Sequence, residues 1–109
     1  MKTSYYQNAK LKTGDHFPVR ISIRHPRFGT QPAAVLLEAA PTTEMLAKGY
    51  TDAEYMALLD SHADTIIERL NAMPDNAVFL CFEKDAKQCH RSWFAEWLYE
   101  VTGEAITEL

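Results

Sequence analysis

The chain has 109 residues, which predicts one domain spanning 1–109, and its 47% hydrophobic and 24% charged residues are ordinary values for a folded globular protein. The net charge of −4 argues against a general nucleic-acid binder, because such proteins normally carry a basic surplus. No apolar run approaches the ~20 residues of a membrane span and the polar first residues do not resemble a signal peptide, so we expect a cytoplasmic protein with no membrane partner.

The first half of the chain predicts one strand and one short helix. Residues 1–17 are polar and are expected to be irregular. Hydrophobic and polar residues alternate from Pro18 to Arg24, which predicts a strand with one face towards the core. Residues 33–40 fit either a strand or a helix. A short helix is predicted to start near Pro41 and to end at Gly49.

The second half predicts two helices and two strands. Thr51 and Glu54 form a capping box for a long helix that ends near Met73. Its predicted buried stripe comprises Tyr55, Leu59, His62, Ile66 and Leu70. Residues 77–82 predict a buried strand, a last helix is expected from about residue 86 to 102, and residues 104–109 can form a short final strand. The face of the last helix predicted to be buried comprises Trp93, Phe94, Trp97, Leu98 and Val101.

This element order predicts an α/β fold. We expect a small, open, mostly parallel sheet with right-handed crossovers and helices packed on it, in a single three-layer-like domain. Functional sites in such sheets gather beyond the carboxyl ends of the strands. That rule brings Arg24, Glu83 and Cys89 towards one edge.

The segment Cys89-His90-Arg91 is the strongest candidate for a functional site. Unpaired amides and the positive end of a helix dipole favour anions, so Arg91 is predicted to bind phosphate or carboxylate; the alternative is a salt bridge to Glu83. Cys89 is a candidate nucleophile, because the same environment favours a thiolate, or else a small packed residue. His90 is expected to be buried and hydrogen-bonded to backbone or Glu83, or to act as an acid or base.

Other residues can contribute to this site. Ser22 and Arg24 lie on the polar side of their strand, where a buried arginine needs a carboxylate or a ligand. Tyr5 and Tyr6 either close over the site as a lid or pack a loose N-terminus. Only two cysteines occur, so no disulfide framework is expected and both thiols are predicted to be reduced.

The spacing of the cysteines and histidine in the sequence does not match that of a typical zinc site. Zinc ligands commonly come in close pairs, whereas seven residues separate Cys81 from the adjacent Cys89 and His90, and no second cluster follows. There is also no glycine-rich phosphate loop. The sequence therefore indicates no metal and no cofactor.

Two linked motifs resemble a known family. Leu80-Cys81-Phe82-Glu83 closes an apolar strand, and after a short loop Cys89-His90-Arg91 opens a tryptophan-bearing helix. This combination resembles the family called domain of unknown function number 488, in which a C-terminal strand with a glutamate follows, as Glu108 does here. Further matches are Ser4-Tyr5-Tyr6, Ser22-Ile23-Arg24 with Pro26, Ala40-Pro41 and Tyr55.

The resemblance covers nearly the whole chain and implies a fold and a site, but no activity. The site it implies comprises Ser22, Arg24, Cys81, Glu83, Cys89, His90 and Arg91. The residues favour a pocket for a small anionic, phosphate-bearing, nucleotide-like ligand, with a hydrolase or transferase reaction if the protein is an enzyme. The alternatives are a non-catalytic module that sequesters such a ligand and a thiol-based redox protein using Cys89. A homodimer is compatible with the sequence, and the case for nucleic acid is weak.

Overall fold

A five-stranded, all-parallel sheet forms the centre of the computed structural model, which describes residues 1–109. The strands are β1 (Lys2–Tyr5), β2 (Phe17–Arg20), β3 (Ala34–Val35), β4 (Ala77–Cys81) and β5 (Thr107–Glu108), in the order β3-β2-β4-β1-β5. The predicted α/β class and parallel sheet are confirmed. None of the helices is long and apolar enough to cross a membrane.

The helices are α1 (Thr43–Lys48), α2 (Asp52–Ser61), α3 (Ala63–Asn71) and α4 (His90–Thr102). Short 3₁₀ turns lie at Ala9–Thr13, Leu37–Ala39 and Ala86–Gln88. The capping box predicted for α2 is present, because Thr51 accepts from the Glu54 amide and Glu54 accepts from the Thr51 amide. Thr42 caps α1, close to the start predicted near Pro41, and Gly49 follows the end of the helix, as predicted.

Alternating residues of β4 divide the hydrophobic core between the two faces of the sheet. Ala77 and Phe79 pack with α2, α3 and α4 in a cluster of 13 buried residues. Val78 and Leu80 point the other way, into a smaller cluster with Tyr6 and Leu11. The long helices therefore share one face, and the 3₁₀ turn at Ala9–Thr13 contributes to the cover of the other.

Several predicted elements differ from the structure. Residues 1–17 are not irregular throughout: β1 pairs with both β4 and β5, and its buried Thr3 and Ser4 hydroxyls are hydrogen-bonded. The predicted long helix is interrupted at His62, which is exposed, although the rest of the predicted stripe is buried. The strand predicted to reach Arg24 ends at Arg20.

The last helix starts later than the sequence predicted. Asp85 caps only a 3₁₀ turn, by accepting from the Lys87 amide, and α4 begins at His90 with Cys89 as its N-cap. Phe94, Trp97 and Leu98 are buried on α4 as predicted, whereas Trp93 is half-buried and Val101 is exposed. The Cys-His-Arg segment therefore lies at the first turn of the regular helix, beside the end of β4.

Candidate functional site

An open cavity of about 370 Å³ lies at the carboxyl end of the sheet. Parallel strands end at the same edge, where β1 and β4 finish as the register pair Tyr5 and Cys81, and the start of α4 meets them there. The cavity is lined by Ser22, Ile23, Arg24, Pro41, Leu46, Tyr50, Cys81, Phe82, Glu83, Gln88, Cys89 and His90. Six of the predicted site residues thus share one cavity.

Cys81 and Cys89 are in direct contact at the buried side of this cavity. The structure joins their sulfur atoms as a disulfide, with 7.1 Å between the two Cα atoms. The sequence predicted two reduced thiols, whereas the structure pairs the two cysteines, because the end of β4 and the N-cap of α4 bring together residues that lie eight positions apart in the sequence.

His90 is buried and has a defined tautomer. Its Nε2 is hydrogen-bonded to the backbone carbonyl of Ile21, which can only accept, so Nε2 carries the proton. Nδ1 faces the Cys89 sulfur at 3.7 Å. Burial lowers the pKa of His90 from 6.5 to about 4, so the imidazole is neutral at neutral pH. The backbone alternative for its hydrogen bond, left open by the sequence, is the one observed.

Arg91 does not line the cavity, because its guanidinium is fully engaged inside the protein. Its Nε and Nη2 donate to the Glu108 carboxylate at 3.0–3.2 Å, and Nη2 also donates to the Lys84 carbonyl. Nη1 donates to the Cys81 sulfur at 3.2 Å and to the Glu83 carbonyl. All five N–H groups of the guanidinium are thereby used, so this placement gives no support to the anion-binding role predicted for Arg91.

Arg91 forms its ion pair with Glu108 of β5, not with Glu83, which was the alternative partner expected from the sequence. The exposed Glu83 carboxylate instead stands at the cavity and makes no hydrogen bond within the chain. Glu83 therefore orients neither Arg91 nor His90 through its carboxylate.

Tyr5 and Tyr6 are fixed in place and do not form a lid. Tyr5 ends β1, and the Arg91 Cζ atom lies 5.9 Å from the centre of its ring. Tyr6 is buried, and its hydroxyl is 2.6 Å from the Ser22 Oγ. Of the two alternatives for these tyrosines, packing is the one observed, although the N-terminal segment is a strand of the sheet rather than a loose end.

Arg24 is the free cation of the cavity. The three ion pairs of the chain are Lys48–Glu44, Arg69–Glu38 and Arg91–Glu108, so no carboxylate pairs with Arg24. An adjoining cavity of about 340 Å³ shares Arg24 and Phe82 with the first and is also lined by His25, Arg27 and Phe28. The result is a basic rim on one side of the site.

The family model described as Domain of unknown function DUF488 matches residues 34–98, which is more than half of the chain. The chain belongs to the DUF488 family. No curated protein and no solved structure shows a match. The DUF488 match contains Cys81, Glu83, Cys89, His90 and Arg91.

Part of the DUF488 protein's site lies outside the matched segment. Ser22 and Arg24 come before it and Glu108, the partner of Arg91, comes after it. The catalytic roles predicted for Cys89, His90 and Glu83 stay predictions.

Sequence reasoning missed the walls of the cavity in this DUF488 protein. Tyr50, Phe82 and Leu46 are exposed or half-buried residues from the segment before α2, the end of β4 and α1. The feature that marks Phe82 and Leu46 is that these large side chains stay about half exposed in the fold, and the sequence does not show exposure. No local pattern distinguished them from ordinary core residues.

Proposed function

We propose that the chain binds a small anionic ligand that carries a phosphate group and a flat ring, such as a nucleotide, in the cavity at the carboxyl end of the sheet. The observation that carries this proposal is Arg24, an exposed guanidinium at the cavity that no carboxylate neutralises. A guanidinium binds phosphate through two parallel N–H groups.

The first turn of α4 supports anion binding at the same place. The backbone amides of His90 and Arg91 have no acceptor within the chain, as expected for the first residues of a helix. His90 and the N-cap Cys89 line the cavity. Amides at a helix N-terminus and guanidinium groups both bind phosphate, and the same cavity is lined by Arg24 and by the start of α4.

The remaining walls suit the rest of a nucleotide-like molecule. Tyr50, Phe82 and Leu46 give apolar surface for a flat ring, and the Glu83 carboxylate can accept hydrogen bonds from hydroxyl or amino groups. The volume of about 370 Å³ is within the range of small-molecule sites, roughly 300–1,000 Å³. His25 and Arg27 in the adjoining cavity raise the local positive potential.

Calorimetric titration tests this proposal with adenosine monophosphate, adenosine and inorganic phosphate as probes. We expect the monophosphate to bind more tightly than adenosine, and Arg24→Ala to weaken its binding by about 10- to 100-fold, the loss of a charge-assisted hydrogen-bond pair. Lys12→Ala is the matched control, because it removes the same charge at an exposed residue of the 3₁₀ turn Ala9–Thr13. Absence of binding, or equal losses in both variants, would refute the proposal.

Catalysis by the same site has a separate test. Cys89→Ser replaces the thiol by a hydroxyl of similar size, which removes both the candidate nucleophile and the sulfur pair with Cys81, so binding of the monophosphate is measured in the reduced native chain and in the variant. If a turnover assay with phosphate esters finds activity in the native chain, this variant should abolish it. Binding without turnover in either protein would favour the non-catalytic ligand-binding module.

A second candidate function, thiol redox chemistry, is favoured by the contact between Cys81 and Cys89. In this case the pair cycles between disulfide and dithiol with a thiol such as glutathione as its co-reactant. Equilibration in glutathione buffers followed by alkylation and mass measurement tests it. We expect both cysteines to become alkylated together over a narrow range of buffer potential. Independent alkylation of the two would contradict a coupled pair.

A further inference from the structure

Three side chains that can bind metal converge at the buried side of the cavity. The ligand atoms of Cys81, Cys89 and His90 all lie within 4.8 Å of one another, and all three residues are buried. They come from the end of β4 and the first turn of α4, two elements that the fold holds together. Cys81 is separated from Cys89 and His90 along the chain, but the fold brings the three residues together in space.

The orientation of His90 is the orientation of a metal-binding histidine. Its Nε2 donates to the Ile21 carbonyl, which leaves the lone pair of Nδ1 directed towards the cysteine sulfurs. Metal ligands of this type almost always have their second ring nitrogen held by a carbonyl or carboxylate in this way. No rearrangement of the imidazole is needed for Nδ1 to bind a metal.

The sulfur atoms also have the surroundings of metal thiolates. The guanidinium of Arg91 donates to the Cys81 sulfur at 3.2 Å, and such a bond stabilises a negative sulfur. Cys89 is the N-cap of α4, where the helix dipole favours negative charge. Two thiolates and a neutral imidazole are typical ligands of Zn²⁺.

The backbone separation of the cysteines fits a metal bridge. Their Cα atoms are 7.1 Å apart, whereas disulfides usually span about 4.4–6.8 Å. Two sulfurs bound to one tetrahedral zinc at about 2.3 Å each lie roughly 3.8 Å from each other, which requires a wider backbone separation than a disulfide does. Reduction of the pair would therefore let the sulfurs separate without moving β4 away from α4.

We propose that Cys81, Cys89 and His90 of the reduced protein bind one zinc ion whose fourth coordination position opens into the cavity. Binding replaces the two thiol protons, which pass to the solvent, and no oxidation or reduction accompanies it. Three protein ligands with an open position distinguish this site from closed structural zinc sites. The disulfide and the metal complex exclude each other, because each uses both sulfurs. The proposal is independent of Arg24 and of anion binding.

Spectroscopic titration with Co²⁺ tests the proposal on the full chain, after reduction with a phosphine that is then removed. We expect one Co²⁺ per chain, the strong visible absorption of tetrahedral cobalt with a thiolate-to-metal charge-transfer band, and displacement by Zn²⁺. The oxidised protein should show neither signal. Reduced protein without tetrahedral, thiolate-bound cobalt would overturn the proposal.

Variants identify the ligands without relying on cysteine substitutions that could disturb folding. His90→Gln should weaken cobalt binding by at least about 10-fold, because losing even an outer partner of a metal ligand costs that much. His62→Gln, at an exposed histidine, is the matched control and should leave cobalt binding unchanged. Zn²⁺ should also protect both cysteines of the unmodified chain from alkylation. Equal binding in the two histidine variants, or cysteines that stay fully reactive with zinc present, would show that these residues are not the ligands.

Discussion

The buried pair between Arg91 and Glu108 allows a sharp stability prediction. The Arg91 side chain is 0% exposed and the Glu108 side chain 36% exposed. Glu108→Ala removes the acceptor of the Nε and of one Nη2 hydrogen and leaves a buried guanidinium without its counter-charge. It also removes the 2.7 Å hydrogen bond from the Thr3 hydroxyl.

The size of the effect follows from this geometry. Breaking a fully buried pair costs about 3–5 kcal/mol, but water can reach the position of a carboxylate that is one-third exposed. The remaining acceptors of Arg91, at Cys81, Glu83 and Lys84, also persist. We therefore expect Glu108→Ala to lower the free energy of unfolding by about 3 kcal/mol, the lower end of that range.

Urea unfolding followed by tryptophan fluorescence measures this loss. Glu104→Ala is the matched control, because Glu104 is an exposed glutamate outside every ion pair, and its loss should change the free energy by less than about 0.5 kcal/mol. Glu108→Gln keeps the shape of the side chain and one acceptor, so its loss in the free energy of unfolding should lie between those of Glu108→Ala and Glu104→Ala. A loss below about 1 kcal/mol for Glu108→Ala would refute the view that this pair anchors the first turn of α4.

Three further predictions concern the pH response, a turn and the core. Burial lowers the pKa of His90 from 6.5 to about 4, so on acidification the unfolded chain takes up the proton before the folded protein does. The metal-free protein should therefore keep its stability above pH 6.5 and lose about 3 kcal/mol between pH 6.5 and pH 4. The unfolding free energy of His90→Gln should lack this pH dependence, and the same pH dependence in the variant would contradict the assignment. Gly29 has a φ of 84°, and a Cβ at this position would clash with the backbone carbonyl of Tyr6, so Gly29→Ala should cost about 1–3 kcal/mol in thermal unfolding; a neutral effect would contradict this close approach. Phe94→Ala should cost about 3–5 kcal/mol in urea unfolding and the exposed Tyr99→Ala under about 1, whereas similar costs would contradict the core assignment.

Much of the fold could be predicted because local rules govern it. The Thr51–Glu54 capping box, the apolar run of β4 and the stop at Gly49 each depend on residues close together in the sequence. The strand β1 escaped prediction because its burial arises from pairing with β4 and β5, which are distant in the chain. A four-residue strand with buried Thr3 and Ser4 gives no hydrophobic alternation to detect.

In the candidate site, too, features set by neighbouring residues could be predicted and contacts between distant residues could not. Cys89-His90-Arg91 could be located from the sequence, because a helix start beside a strand end is a local feature. The partner of Arg91 could not be assigned by residue-level reasoning, since Glu108 is 17 residues away on β5. The proximity of Cys81 to Cys89 likewise depends on how β4 and α4 pack.

The most direct test of the anion-binding cavity is a nitrogen–proton correlation spectrum recorded while adenosine monophosphate is added. We expect progressive shifts of the amides of Arg24, Glu83, Cys89 and His90, which border the cavity, and no shifts on the 3₁₀ turn at Ala9–Thr13, whose residues do not line it. Saturation at one ligand per chain should accompany them. Shifts that are absent, or that map to a different surface, would contradict the account.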